Sequence, residues 1–294
     1  MSRGPEIIRA VADMQAWSRG HREAGRRIGL VPTMGNLHEG HLSLARMAMD
    51  ESDRVIVSLF VNPTQFGPGE DYDSYPRTWD EDLDKLRELG VHYVFAPKLE
   101  EIYPAGDHTR VLVNWGQDVL CGATRPGHFD GVTTVVAKLF NATLPDLAYF
   151  GQKDAQQALI IRRMVRTLAF PLILRLGETV RETDGLAKSS RNAYLSVDDR
   201  AKARCLNQAL DAAGAALESG ERDPAVLEAA GMEALEGLAP EYFSVLDPDT
   251  LGAPARLEDG LVLIACALPL GTARLIDNHV YRINENRVEK ALLF

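Results

Sequence analysis

Between residues 28 and 176, short apolar runs rich in β-branched residues alternate with stretches that suit helices. That alternation limits the fold more than any other feature of the chain. Residues 28–31 form an apolar run closed by Pro32, and residues 54–61 repeat strand composition before stopping at Asn62-Pro63. Between them, Leu42, Leu44, Ala45, Met47 and Ala48 mark one helical stretch. A strand–loop–helix–strand unit of this kind closes as a right-handed parallel crossover. The pattern goes on with a helix over 80–89, strands over 91–96 and 147–150, a helix over 155–168 and a strand over 172–176. The predicted class is α/β, with a doubly wound parallel sheet in the N-terminal part.

After Tyr194 the chain changes character. An Ala-rich helical region over 198–238, interrupted at Asp223-Pro224, precedes strands over 242–246, 261–268 and 274–276. This predicts a smaller α+β domain at the C-terminal end. Gly177 and Thr183-Asp184-Gly185 punctuate the junction. The expected division is 1–182 and 183–294, and 294 residues are enough for two domains.

Acidic residues outnumber basic ones by 42 to 32, a formal charge of −10, which argues against a partner recognised by broad attraction to nucleic acid. One small anion in a local basic pocket stays compatible with that balance. Cys121, Cys205 and Cys266 are widely separated, which suits neither a disulfide framework nor a zinc–thiolate site and fits a reducing cytosol. Residues 1–10 carry Arg3, Glu6 and Arg9 without an apolar run, so no signal peptide is expected. The apolar stretch 261–270 falls well short of the ~20 residues that a membrane span needs. The expected setting is the cytoplasm, with no membrane partner.

Ligands of open parallel sheets bind beyond the carboxyl ends of the strands, and three polar loops stand there: 32–41, 62–66 and 151–157. In the first, Gly35 and Gly40 permit a tight turn and close approach to the backbone. A helix starting near Gly40 would offer unpaired N–H groups and a positive dipole end to a phosphate. His38 and His41, three residues apart, can meet on one side and donate to phosphate oxygens. The same residues also fit a turn with two solvated histidines, or part of a zinc site that lacks a third ligand. Neither GxxxxGK[ST] nor a GxGxxG after the first strand is present, which excludes standard P-loop kinases and nicotinamide dehydrogenases and leaves adenylyl transfer open.

In the second loop, Asn62 and Gln65 can both donate and accept, so they could read a hydroxyl and a carboxylate, although Asn-Pro alone also makes a turn. In the third, Lys153 is a compact charge suited to phosphate, Asp154 could cap a helix, and Gln157 lies one turn beyond Lys153. Further on, Lys188-Ser189-Ser190-Arg191 sets two cations around two hydroxyls. That composition suits a loop closing over a triphosphate, or a solvated surface loop. The stretch from Arg125 to Gly131 is equally open to either reading.

Together these segments resemble the pantoate–β-alanine ligase family. Residues 32–44, 60–66, Tyr75-Pro76-Arg77-Thr78, 121–139, 150–164 and 184–195 stand in the family's order. An HxGH-like loop alone is shared by many nucleotidyltransferases, whereas FVNPxQF, RPGHFxGV and GxKDxQQ in combination are specific. The resemblance implies a Rossmann-like N-terminal domain, a smaller C-terminal lid and a homodimer. It also implies two chemical steps. ATP and pantoate give pantoyl adenylate and pyrophosphate with Mg²⁺, and β-alanine then displaces AMP to form pantothenate.

Carried onto this chain, the resemblance gives Met34, Gly35, Asn36, Leu37, His38, Glu39, Gly40 and His41 to ATP. Gly151, Gln152, Lys153, Asp154 and Val180 would contact the nucleotide, and Lys188, Ser189, Ser190 and Arg191 would clamp its phosphates. Gln65 and Gln157 would hold pantoate, with Asn62 assisting and Gln65 also near β-alanine. The catalytic set is His38, His41, Lys153, Ser189 and Arg191. The family reading makes the second histidine a proton donor; we read both as hydrogen-bond donors to the transition state, since displacement at phosphorus needs charge stabilisation more than a proton.

Two departures stand out. Position 188 is Lys where many relatives carry Met or Leu. The acidic run Asp80-Glu81-Asp82, a candidate metal neighbourhood, has Glu where Asp is expected, so no metal ligand is assigned. Two other functions fit the motifs less well. A plain nucleotidyltransferase would release pyrophosphate without any amine step, and a regulatory nucleotide-binding module would show no turnover.

Overall fold

The computed structural model describes residues 4–285 and 287–294, so residues 1–3 of the start considered above lie outside the described residues. The chain divides into two compact units. One comprises Met1–Trp115, Arg125–Gly151 and Ile160–Gly177; the other comprises Gly116–Thr124, Gln152–Leu159 and Glu178–Phe294.

The first unit is built on a six-stranded, wholly parallel sheet of Rossmann-like type. Its strands are β1 (Glu6–Ile8), β2 (Ile28–Thr33), β3 (Arg54–Leu59), β4 (Tyr93–Phe95), β5 (Leu147–Gly151) and β6 (Ile173–Gly177). They lie in the order β1-β4-β3-β2-β5-β6. The chain winds outward from β2 through β3 to β4, then returns to the other side of β2 at β5. The strand order therefore reverses at β2, the position where doubly wound sheets open a ligand crevice. Ile28, Leu30, Val31, Val55, Ile56 and Val57 are fully buried, as central parallel strands covered on both faces require.

The expected strands and the helices Glu39–Glu51, Trp79–Leu89 and Ala155–Thr167 are present with small shifts of their ends. Helix His128–Thr143 is not evident from composition. Its first half contains Gly131 and the run Val132-Thr133-Thr134-Val135-Val136, poor helix formers that read as strand. Burial decides the matter, because twelve of its residues are buried.

The second unit carries an antiparallel sheet of β7 (Tyr242–Leu246), β8 (Gly260–Leu270), β9 (Ala273–Asn284) and β10 (Arg287–Lys290), ordered β10-β9-β8-β7. Alternate residues of β8, namely Val262, Ile264, Cys266, Leu268 and Leu270, share a core with Leu206, Leu210, Leu217 and Leu227 of helices Cys205–Glu218 and Pro224–Ala234. The helices come very close to the sheet. A Cβ at Gly214 would lie 1.9 Å from Tyr281 Oη, and one at Gly231 would lie 2.1 Å from Phe243 Cζ. Asp223-Pro224 starts the second helix rather than merely breaking the first: Asp223 Oδ1 accepts the Ala225 N–H at 2.9 Å, with Pro224 in the first turn. Strand β9 runs well past the expected 274–276. Its interior holds Asp277, Asn278 and His279, all buried, which disguise it as a loop. Among the described residues, no helix is long and apolar enough to cross a membrane.

Candidate functional site

In the first unit, the loop after β2 is shaped by groups distant in sequence. Thr33 closes the strand by donating Oγ1–H to Ser58 O at 2.7 Å, and Gly35 N–H donates back to Thr33 Oγ1 at 3.2 Å. The chain then turns through two residues of positive φ, Gly35 at 83° and Asn36 at 49°. Asp82 holds the turn: its Oδ2 accepts the Asn36 N–H at 2.9 Å and its Oδ1 accepts the Leu37 N–H at 2.7 Å. Asp82 is buried in the first turn of its helix, where negative charge is favoured. Lys85 adds a bond from Nζ to Leu37 O at 2.8 Å. The one buried carboxylate of the acidic run, Asp80-Glu81-Asp82, therefore anchors the loop.

The helix that follows begins with a cap made of two histidines. His38 Nδ1 accepts the Gly40 N–H at 3.2 Å, and His41 Nδ1 accepts the His38 N–H at 3.4 Å. His38 O accepts the His41 N–H at 2.8 Å, and the two rings stack with centroids 4.0 Å apart. Several amides of the turn that was expected to offer unpaired N–H groups to a phosphate are already taken. The amides of Asn36, Leu37, Gly40 and His41 all have partners within the protein. Because both Nδ1 atoms accept, the neutral form of each ring carries its proton on Nε2. Glu39, at the first helical position, pairs with Arg46 at the surface.

The turn after β3, Pro63–Gln65, is organised by Asn62. Asn62 is 1 % exposed, and its Oδ1 accepts from Tyr103 Oη at 2.8 Å and Thr64 Oγ1 at 3.0 Å. Its Nδ2 donates to Gln65 Oε1 at 3.0 Å and Gly131 O at 3.2 Å. Asn62 is therefore occupied inside the protein, and its effect on any ligand passes through Gln65. Held at Oε1, Gln65 presents Nε2–H as its donor, 3.2 Å from Met34 Sδ, so the first two loops meet at this amide.

The RPGHFDGV segment supports this turn. His128 Nδ1 lies 2.7 Å from Gln65 O, and Arg125 grips Glu70 with Nε and Nη2 at 2.7 and 2.6 Å. Burial pushes the pKa of the Glu70 carboxyl up, but hydrogen bonding and charge from Arg125, together with Gly67 and His128, outweigh this and leave it below the usual carboxylate range. Gly131 sits against the turn so tightly that a Cβ there would lie 2.2 Å from Thr64 O.

In the second unit, Gln152, Lys153 and Asp154 form one 3₁₀ turn. Gln152 is buried; its Nε2 donates to Ala291 O at 3.1 Å and its Oε1 accepts the Leu293 N–H at 3.0 Å. The Gln152 side chain is therefore taken up by residues 291–293, and only its backbone remains for a nucleotide. Among the described residues, Lys153 has no carboxylate partner and Gln157 makes no side-chain hydrogen bond. Asp154 is exposed. Gln156, which sequence reasoning passed over, is buried and ties Cys121 N, Gly116 O and Val119 O to the helix start.

The segment 180–191 forms a small hairpin closed by an Arg181–Ala187 bridge, with Lys188 N–H donating to Val180 O at 2.9 Å. Arg181 anchors it through paired bonds to Asp277 at 2.6 and 3.0 Å. Lys188 Nζ lies 3.2 Å from Glu182 Oε2, so its charge is already balanced locally. Ser189 caps the turn Ser190–Tyr194 by accepting the Arg191 N–H at 3.3 Å.

Each unit thus assembles part of the expected set. The first holds Met34 to His41, Asn62, Gln65 and Gly151; the second holds Gln152, Lys153, Asp154, Gln157, Val180 and Lys188 to Arg191. Tyr103, Asn278 and Asp277 were missed because their partners lie far away in sequence, and Asp82, read only as part of a candidate metal neighbourhood, instead holds the loop after β2. The local signal of Asp277 and Asn278 is the polar run Asp277-Asn278-His279 between apolar strand residues.

The family model described as pantoate-beta-alanine ligase matches residues 6–280. Pantothenate synthetase of Moorella thermoacetica is 51 % identical over 284 residues, covering 95 % of this chain and all of that protein. The enzyme of the same name from Hahella chejuensis is 48 % identical over 275 residues, 92 % of this chain and 97 % of its own length. Among solved structures, pantothenate synthetase of Thermus thermophilus superposes with a TM-score of 0.87 at 45 % identity, over 93 % of this chain and 98 % of that one. Pantoate-beta-alanine ligase of Francisella tularensis, described as complexed with beta-gamma ATP and beta-alanine, gives 0.77 at 33 % identity over 93 % and 97 %.

Proposed function

Because the chain belongs to the pantoate–β-alanine ligase family, we propose that it condenses pantoate with β-alanine to give pantothenate through a pantoyl-adenylate intermediate, consuming ATP and releasing AMP and pyrophosphate. The observation that carries the reading is the two-histidine cap. With Nδ1 of each ring accepting a backbone N–H, His38 and His41 would carry their ring proton on Nε2, a donor type suited to phosphate oxygens at the strand end where a doubly wound sheet takes its ligand.

In the first step a pantoate carboxylate oxygen attacks the α-phosphorus of ATP. The acyl–O–P bond forms, the bond to pyrophosphate breaks, and charge gathers on the phosphate oxygens. His38 and His41 donate to those oxygens, and Lys153 and Arg191 neutralise them with Ser189 and Ser190 as neighbouring donors. The backbone of Met34 to Leu37, Gly151 to Asp154 and Val180 borders the nucleotide. Gln65, fixed as an N–H donor by Asn62, suits the pantoate carboxylate, and Gln157 supplies a second amide. In the second step the β-alanine amine attacks the acyl carbon. A C–N bond forms, AMP leaves with the electron pair, and the amine sheds its proton.

Mg²⁺, when bound, supplies charge neutralisation across phosphate oxygens. Among the described residues there is no group of three or more His, Cys, Asp or Glu that could hold a metal ion, and Asp82 already gives both oxygens to loop amides. The same reading carries a homodimer, which sedimentation of the purified protein would check, and a cytoplasmic setting, which cell fractionation would check.

The test supplies purified protein with ATP, Mg²⁺, pantoate and β-alanine and follows AMP and pantothenate together. Stoichiometric formation of both is expected; no product above a no-enzyme control would sink the assignment. Lys153→Ala and His41→Ala should each slow pyrophosphate release at least about tenfold, roughly 1.4 kcal/mol of transition-state stabilisation.

A further inference from the structure

Strand β9 buries three consecutive polar residues, Asp277, Asn278 and His279, at 2 %, 4 % and 5 % exposure. Neighbours on a strand face opposite sides, and their partners divide accordingly. Asp277 takes Arg181, and His279 faces Asn207, whereas Asn278 faces the Gln152–Asp154 turn. Burying a polar group in mid-strand costs stability unless it is bonded, so each such residue calls for a reason.

Asn278 Nδ2 donates to Gln152 O and to Lys153 O, both at 2.9 Å. Its orientation is unambiguous, since the reversed amide would set an oxygen against two carbonyl oxygens. Both hydrogens of one amide group thus fix two successive carbonyls of the turn that carries Lys153. Asn278 N–H also donates to Asp277 Oδ1 at 2.8 Å, and Arg181, bound to Asp277, donates to Gly185 O at 3.0 Å. One strand position therefore ties the Lys153 turn to the hairpin that leads into Lys188–Arg191.

We propose that Asn278 is a positioning residue for Lys153: it fixes the turn so that the ammonium meets the phosphate chain at a set distance, and it acts on adenylate formation without touching substrate. This rests on the reading of Lys153 as a phosphate-binding group. A long side chain on an untethered turn would lose alignment, and misplacement by about 1 Å is enough to cost on the order of 10²-fold in rate.

The experiment is pantoate-dependent exchange of labelled pyrophosphate into ATP without β-alanine, which reads the first step alone. It compares wild type, Asn278→Ala, Asn278→Ser, Lys153→Ala and the Asn278→Ala/Lys153→Ala double variant, each with its melting temperature. Asn278→Ala should lower the exchange kcat about tenfold with the pantoate KM unchanged, and Asn278→Ser, which keeps one donor, should fall between it and wild type. In the Lys153→Ala background, Asn278→Ala should add less than about twofold, because the group it positions is gone. Losses that multiply, or an Asn278→Ala exchange rate within about twofold of wild type, overturn the proposal. If Asn278→Ala does not fold, Asn278→Ser in both backgrounds makes the same comparison. Wild-type exchange in Lys153→Ala removes the reading of Lys153 and the proposal with it, a pattern distinct from multiplying losses.

Discussion

At the scale of single residues, the candidate site separates groups that could face a ligand from groups that hold them in place. Asp82 belongs to the second kind. Asp82→Asn turns an NH₂ toward one loop amide, and leaving a buried donor unsatisfied costs about 1–3 kcal/mol. Its ATP KM should rise about tenfold, with a folded protein by circular dichroism. Lys188→Met should change kcat/KM for ATP by less than about twofold, since its half-exposed ion pair with Glu182 is worth only ~0–1 kcal/mol. A drop beyond tenfold would mean that the ammonium leaves Glu182 for a phosphate. The histidines, Gln65, Lys153 and the serines stand out in the sequence as candidates because their motifs are contiguous. The roles of Asp82 and Asn278 do not show there, because the atoms they hold lie 46 and 125 residues away, and short local patterns carry no trace of such pairs.

At the scale of elements, the parallel strands were legible because burial on both faces forces continuous apolar runs such as Ile28 to Val31. Helix His128–Thr143 was hidden by its β-branched residues, and β9 by the three polar residues in its interior. Both failures fall where residues support the candidate site, as expected when local preference yields to function. The helix start also makes a sharp test. Gly131→Ala puts a methyl 2.2 Å from Thr64 O, and backbone cannot yield as a flexible side chain can. Displacement of the Pro63–Gln65 turn should raise the pantoate KM at least about tenfold while the ATP KM changes little, as initial rates over both substrates would show.

At the scale of the whole molecule, acid should loosen the fold through His279. Its pKa falls from 6.5 to about 4, chiefly through burial and then through Lys290 and Arg181, while Asp277 and Asp211 oppose the shift. Between about pH 6.5 and 4 the unfolded chain holds a proton on this ring that the folded chain lacks. Stability is therefore retained above that window and lost as pH drops through it. Melting temperatures from pH 7.5 to 4.5 should decline more steeply for wild type than for His279→Gln; equal slopes would contradict this. The order of the parallel sheet also governs how the chain must be made. β2 gains β3 soon after leaving the ribosome, but its other edge waits for a partner 118 residues further on. At ~5–20 residues per second, a nascent chain carries that apolar edge unpaired for on the order of ten seconds. Newly made copies are therefore open to aggregation and to chaperone capture until β5 emerges, however stable the finished sheet becomes.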